Sequence, residues 1–178
     1  MKKISIYDMA KCGIMTALMC VLSPVAIPIG PIPVTLSTLM VCLTTVILGT
    51  KLGIVSYLIY LLLGAVGLPV FSGYAGGVGK LIGPTGGYLI GFIFMVIIGG
   101  IFVSKFKAKI WLTGVGMLFG LIVTYAFGTV WFVISMKVEL GYALSVCVWP
   151  FIPFDIAKII VAILLGTAVN RALKKAIK

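Results

Sequence analysis

Residues 86–109 read GGYLIGFIFMVIIGGIFVSKFKAK. From 86 to 104 no residue is charged, and then Lys105, Lys107 and Lys109 arrive together. A helix needs about 20 apolar residues to cross the hydrocarbon of a bilayer, so the run has the length of one crossing. Beyond the lysines a second uncharged run covers 110–136. Two such runs hinged on a basic cluster are what a chain solvated by lipid presents at the membrane surface.

Working outward, the same pattern fills the chain. Of 178 residues 62 % are hydrophobic, the mean hydropathy is +1.32 and only 10 % are charged. A soluble core of this size cannot absorb so much apolar surface. Six candidate spans emerge, at about 12–28, 34–49, 52–68, 86–104, 110–136 and 153–170. They are separated by PIGPIP (28–33), TK (50–51), a glycine-rich loop (69–85), KFKAK (105–109) and KVELGYALSVCVWPFIP (137–153). Each run must satisfy its own backbone in lipid and none alternates as a barrel strand does, so the spans are expected to be helical. The expected fold is an all-α membrane protein, a compact bundle of six transmembrane helices forming one domain over 1–178. No repeat, soluble domain or low-complexity tract is visible.

Charge placement orients the bundle. With the N-terminus inside, the inner segments hold Lys2, Lys3, Lys11, Lys51, Lys105, Lys107, Lys109, Arg171, Lys174, Lys175 and Lys178. The outer segments hold only Lys80 and Lys137, and Lys158 falls within a span. This positive-inside asymmetry predicts cytoplasmic N- and C-termini and a glycine-rich loop facing outward. The basic N-terminus followed by an apolar run has the outline of a signal peptide. Met19 before Cys20 is too large for a lipoprotein cleavage site, and everything downstream is also apolar, so a first membrane helix is expected.

The net charge of +11 does not point to nucleic acid, because the basic residues punctuate apolar runs instead of forming a stripe with aromatics. With no histidine and three acidic residues, metal sites and acid–base chemistry are poorly supplied. Cys12, Cys20, Cys42 and Cys147 lie in apolar surroundings without metal-ligand spacing and read as small buried hydrophobes.

Four local patterns could carry function. In GGVGKLIGPTGGY (76–88) a phosphate-binding loop fails at Tyr74 and Leu81, and a dinucleotide fingerprint fails at Ile82. Its glycines, among them Gly76 and Gly77, allow close backbone approach or positive φ. Thr85 can cap the following helix, Lys80 adds positive charge, and Tyr88 offers a flat apolar face with a polar tip. An ordinary loop with interfacial anchors is the plain alternative. In PFDIAKII (153–160), Asp155 and Lys158 are opposite charges at i, i+3 inside a span, where ionisable groups usually line a cavity. A self-satisfied ion pair is the alternative. In GPIPVTLSTL (30–39), Pro31 and Pro33 fix an extended entrance and Thr35, Ser37 and Thr38 offer hydroxyls. On the first helix, Ala10, Gly13 and Ala17 make a small-residue face suited to internal packing or to a partner. Together the outward features could form one pocket, with Phe71, Tyr74 and Tyr88 around an apolar body, for a small amphipathic acid with amide-like N–H groups.

PIPVTLSTL (31–39), GLPVFSGYAGGVGKLIGPTGGYLIGF (67–92) and PFDIAK (153–158), in this order, resemble the BioY family, the substrate-binding components of energy-coupling-factor vitamin transporters. GPTGGYL is the most specific of these signals. The resemblance implies a binding protein of the bacterial cytoplasmic membrane that captures biotin from outside. It implies delivery through a transmembrane coupling subunit and two cytoplasmic ATPases, with ATP bound only by those partners and no cofactor or metal on this chain. It also implies that Asp155 meets the ureido N–H groups and that Lys80 or Lys158 meets the carboxylate. Thr35, Phe71, Tyr74, Gly76, Gly77 and Tyr88 complete the expected site. The helix-one face, with Gly13 and Ala17 as the nearest match, is expected to dock on the coupling subunit. A self-sufficient or homo-oligomeric secondary transporter of a small organic acid is the alternative. A membrane enzyme is less well supplied, having one intramembrane aspartate.

Overall fold

A computed structural model describes residues 5–28, 32–106 and 110–176. Lys2, Lys3, Gly30, Pro31, Lys107, Lys109 and Lys178, on which parts of the topology and entrance readings rest, lie outside the described residues. The elements in order are α1 (Ile6–Leu22), β1 (Ala26–Ile27), β2 (Val34–Thr35), α2 (Ser37–Ala65), α3 (Val78–Ile82), α4 (Gly86–Lys105), α5 (Ile110–Met136), α6 (Leu140–Cys147) and α7 (Ile152–Ala176). Ser37–Ala65, Gly86–Lys105, Ile110–Met136 and Ile152–Lys175 are each long and apolar enough to cross a membrane.

The first expected span is shifted. Helix α1 starts at Ile6, where the Ser5 side chain accepts a hydrogen bond from the Asp8 N–H, and it ends at Leu22 rather than 28. Ser23 still has helical backbone and its N–H donates to the Met19 carbonyl (2.9 Å), but Pro24 has no N–H to continue the ladder. The chain then forms β1, whose Ala26 and Ile27 pair antiparallel with Thr35 and Val34 of β2. This two-stranded ribbon is the one sheet among the described residues and was not expected.

The second and third expected spans, 34–49 and 52–68, form the single element α2, broken at Gly49. That residue has φ 72° and ψ −169°, backbone that side-chain-bearing residues rarely adopt. Residues eight apart along a straight helix are separated by ~12 Å of rise. Here a Cβ built on Gly53 would lie 3.8 Å from the Cα of Thr45, so the second half of α2 folds back along the first. The break expected at Thr50–Lys51 falls one residue earlier, on the glycine. The third span also stops sooner, at Ala65.

Helices α4 and α5 match their expected runs and lie close together. A Cβ on Gly91 would come 2.9 Å from the Thr124 Cα, and one on Gly120 would come 2.9 Å from the Met95 Cα. Removing side chains at these points lets the backbones approach, which is how helices associate where no hydrophobic drive operates. The Thr124 hydroxyl donates across the gap to the Gly91 carbonyl (3.1 Å). The 137–153 connection is not a simple loop, since it holds α6, too short to stand out as a span.

Between the helices the interior is filled by Met19, Met40, Cys42, Tyr57, Tyr60, Phe71, Met95 and Met117, all essentially inaccessible. The two tyrosines are satisfied by carbonyls: Tyr57 donates to Leu89 (2.8 Å) and Tyr60 to Val70 (2.9 Å). The outer faces of the helices are apolar as well, with Leu62, Ile122 and Ile134 largely exposed, as a lipid-facing surface requires.

Helix α1 packs through Cys12, Met15, Thr16 and Met19, and its Thr16 hydroxyl meets that of Ser56 at 2.9 Å. Ala10, Gly13 and Ala17 are exposed, and a Cβ at Gly13 would meet nothing within 4 Å. The small-residue face is therefore not used for packing within the chain.

Candidate functional site

Where α4 and α7 begin, six elements and the segments that connect them enclose a cavity. Thr35 of β2, Phe71 and Ser72 of the 66–77 loop, Lys80 of α3, Tyr88 of α4, Tyr125 of α5, and Asp155 and Lys158 of α7 all line it. Pro33, Thr38, Leu89, Phe92, Leu121 and Phe151 supply much of the remaining wall, and the space is narrow, ≈ 70 Å³.

The charged centre is the first turns of α7. Asp155 is 3 % exposed, and the ammonium of Lys158, one turn on, donates to its Oδ1 at 2.8 Å. Tyr125, from α5, donates to Oδ2 at 2.8 Å. Both carboxylate oxygens thus have one strong donor, and each keeps accepting capacity toward the cavity. Removing two charges from water is costly, and this pair is held by close geometry and the tyrosine hydroxyl.

Lys80 lies on α3, a single short turn of helix between the glycine-rich loop and α4. It makes no salt bridge among the described residues, whereas Lys158 is committed to Asp155. The cavity therefore carries one net positive charge, and the uncommitted cation is Lys80.

Packing holds the aromatic wall. Phe71 is fully buried and meets the Tyr60 ring edge-on at 5.7 Å between centroids. Its ring occupies the space a side chain on Gly64 would need. The Tyr88 ring likewise lies where a Cβ on Gly128 would be, and its hydroxyl donates to the Cys147 carbonyl at 3.1 Å. The polar tip of Tyr88 is spoken for, leaving its ring to face the cavity.

Of the nine binding residues expected from sequence, the structure brings Thr35, Phe71, Lys80, Tyr88, Asp155 and Lys158 together around this space. Tyr74, Gly76 and Gly77 lie outside its lining. The Phe71 N–H bonds to the Ala75 carbonyl (2.9 Å), a tight turn that leaves Tyr74, with φ 58°, 63 % exposed. Gly76 does permit a close approach, but to the Gly67 and Leu68 carbonyls of its own loop. Gly77 takes φ 88° to enter α3, and its N–H is held by the Gly64 carbonyl at 2.7 Å. Thr85 occupies the N-cap position of α4 but makes no side-chain capping bond. Its backbone is already helical, and the Gly86 N–H is taken by the Gly83 carbonyl (2.9 Å), so the turn before the helix replaces the hydroxyl.

Tyr125 and Ser72 are among the lining residues that escaped the sequence reading. Tyr125 lies 30 residues from Asp155 in an unremarkable apolar run. Ser72 has a buried hydroxyl with no partner among the described residues, a polar atom awaiting one. No group of three or more metal-ligating residues occurs among the described residues.

The pattern that defines the BioY family matches residues 1–175. A biotin transporter BioY of Thermotoga maritima is 40 % identical over 165 residues, 92 % of this chain and 96 % of that one. Biotin transporter BioY2 of Lactococcus lactis subsp. cremoris is 37 % identical, covering 97 % of this chain and 95 % of its own. The fold superposes with a TM-score of 0.87 on the crystal structure of the S-component for biotin from an ECF-type ABC transporter. That match is at 29 % identity and covers 93 % of this chain and 92 % of that one.

Proposed function

This chain belongs to the BioY family, and from that premise we propose that it captures biotin in the cavity around Asp155 and Lys158 as the binding component of an energy-coupling-factor transporter. It is a multi-pass membrane transport protein and not an enzyme. The observation that carries the ligand assignment is the charge layout. A buried carboxylate accepts from the ureido N–H groups, and the uncommitted ammonium of Lys80 takes the valerate carboxylate. The rings of Phe71 and Tyr88 flank the apolar body of the ligand, and the Ser72 hydroxyl is a further donor for the ureido oxygen. Because the space is narrow, it has to widen to admit the bicyclic ligand.

We read residues 1–178 as one domain with six crossings, counting α1, both halves of α2, α4, α5 and α7, and with both termini cytoplasmic. The fold-back at Gly49 supports that count, and the lysine asymmetry supports the orientation. The exposed Ala10–Gly13–Ala17 face is the proposed docking surface for a transmembrane coupling subunit, which with two ATPase subunits supplies the energy. No cofactor, metal or nucleic acid enters this scheme; ATP belongs to the partners.

Uptake of labelled biotin in cells expressing the chain with and without the coupling and ATPase subunits tests the assembly. Uptake that rises only with those subunits supports it. Undiminished uptake in their absence favours a self-sufficient transporter. Gly13→Leu should lower uptake while leaving binding to the purified chain unchanged.

A further inference from the structure

At the end of the bundle opposite the candidate site lies a second, larger cavity of ≈ 550 Å³. Helix α4 runs from Tyr88 at one site to Ser104 at the other, most of a 20-residue helix, or ~24 Å apart. Lys11 of α1 and Arg171 and Lys174 of α7 line this second cavity, with the hydroxyls of Ser104 and Thr113. We propose that it binds the phosphate headgroup of an anionic phospholipid.

The charge inventory is the first argument. The sequence has three acidic side chains, all within the described residues: Asp8, Glu139 and Asp155. Asp8 pairs with Lys11 at 3.0 Å, Asp155 pairs with Lys158, and Glu139 is the N-cap residue of α6. No carboxylate lines the cavity, and no acidic side chain pairs with Arg171 or Lys174. Two guanidinium or ammonium groups from one helix face, with hydroxyl donors opposite, form a phosphate-binding set. Ile110 and Thr113 of α5 lie on the same wall. The Val46 carbonyl, an acceptor that would repel an anion, is already occupied by the Asn170 amide at 2.9 Å.

The level of the cavity identifies the source of the phosphate. Trp111, one residue into α5, is 66 % exposed on the outside of the bundle, the position at which tryptophan marks the membrane–water interface. Ile47, Leu48 and Val103, half-buried against the core, give the cavity an apolar side. A basic recess between helices at headgroup depth meets anionic lipid before it meets any solute. The assignment is independent of what binds at the opposite end.

Native mass spectrometry on the delipidated chain tests this with phosphatidylglycerol, phosphatidylcholine and excess inorganic phosphate as separate additions. The wild type should retain one phosphatidylglycerol in preference to phosphatidylcholine, and phosphate should not displace it. Arg171→Gln with Lys174→Gln should reduce that preference roughly five-fold per charge removed, while Lys175→Gln, outside the cavity, should not. If the double variant fails to insert, Lys174→Gln alone carries the same readout. Equal retention of the two lipids by the wild type, or an unchanged preference in the variants, would overturn the proposal. Displacement by inorganic phosphate would also overturn it, assigning the cavity to a soluble anion.

Discussion

The hydroxyl of Tyr125 on α5 donates a 2.8 Å hydrogen bond to Oδ2 of Asp155 on α7, while Lys158 holds Oδ1 at the same distance. The carboxylate is thereby fixed in one orientation between two helices, and a ligand meets an acceptor that needs no rearrangement. Tyr125→Phe removes one charge-assisted bond and leaves the aromatic volume. Biotin affinity is expected to fall about ten- to a hundred-fold, measured by titration calorimetry, with little change in the far-ultraviolet spectrum.

Breaking the ion pair should separate stability from binding. Asp155→Asn or Lys158→Ala alone strands a buried charge, at a cost of about 3–5 kcal/mol. The double variant Asp155→Asn with Lys158→Gln strands none, so its melting temperature should lie above both single variants. Biotin binding should stay lost in the double variant. A double variant no more stable than the singles would mean the pair is already well solvated.

Gly49 is predicted to be intolerant for backbone reasons alone. A Cβ there would lie 3.4 Å from the Ser104 hydroxyl, an ordinary contact, so space is not the problem. Its φ of 72° with extended ψ is, and Gly49→Ala should cost roughly 1–3 kcal/mol. Thermal unfolding in detergent measures this; an unchanged midpoint would show that the fold-back does not depend on glycine.

Gly128→Ala reaches the site through packing. The added methyl would occupy the position of the Tyr88 ring, which has to shift and surrender its bond to the Cys147 carbonyl. Affinity should drop although residue 128 is not among those lining the cavity, and Tyr88→Leu should partly restore the packing without restoring affinity.

The sequence resolved what is local and periodic. Uncharged runs bounded by lysine are visible because bilayer thickness sets their length, and α4 and α5 follow those runs almost to the residue. Asp155 and Lys158 stood out because charge inside such a run is rare. Legibility failed where a tertiary partner decides. Tyr125 looks like any aromatic of an apolar helix until α7 is packed against α5. Tyr74, Gly76 and Gly77 belong to the longest recognisable stretch, 67–92, yet composition cannot say which side of a turn faces a cavity, and the Phe71–Ala75 pairing turns Tyr74 outward. The end of α1 was misplaced because β1 is as apolar as the helix before it, and only its pairing with β2 distinguishes them.

The most direct test of the central claim is equilibrium binding of tritiated biotin to the purified chain beside its Asp155→Asn variant. The account predicts saturable binding of one biotin per chain to the wild type, and at least ten-fold weaker binding to an equally well inserted variant. Equal binding to both, or no saturable binding to the wild type, would contradict it.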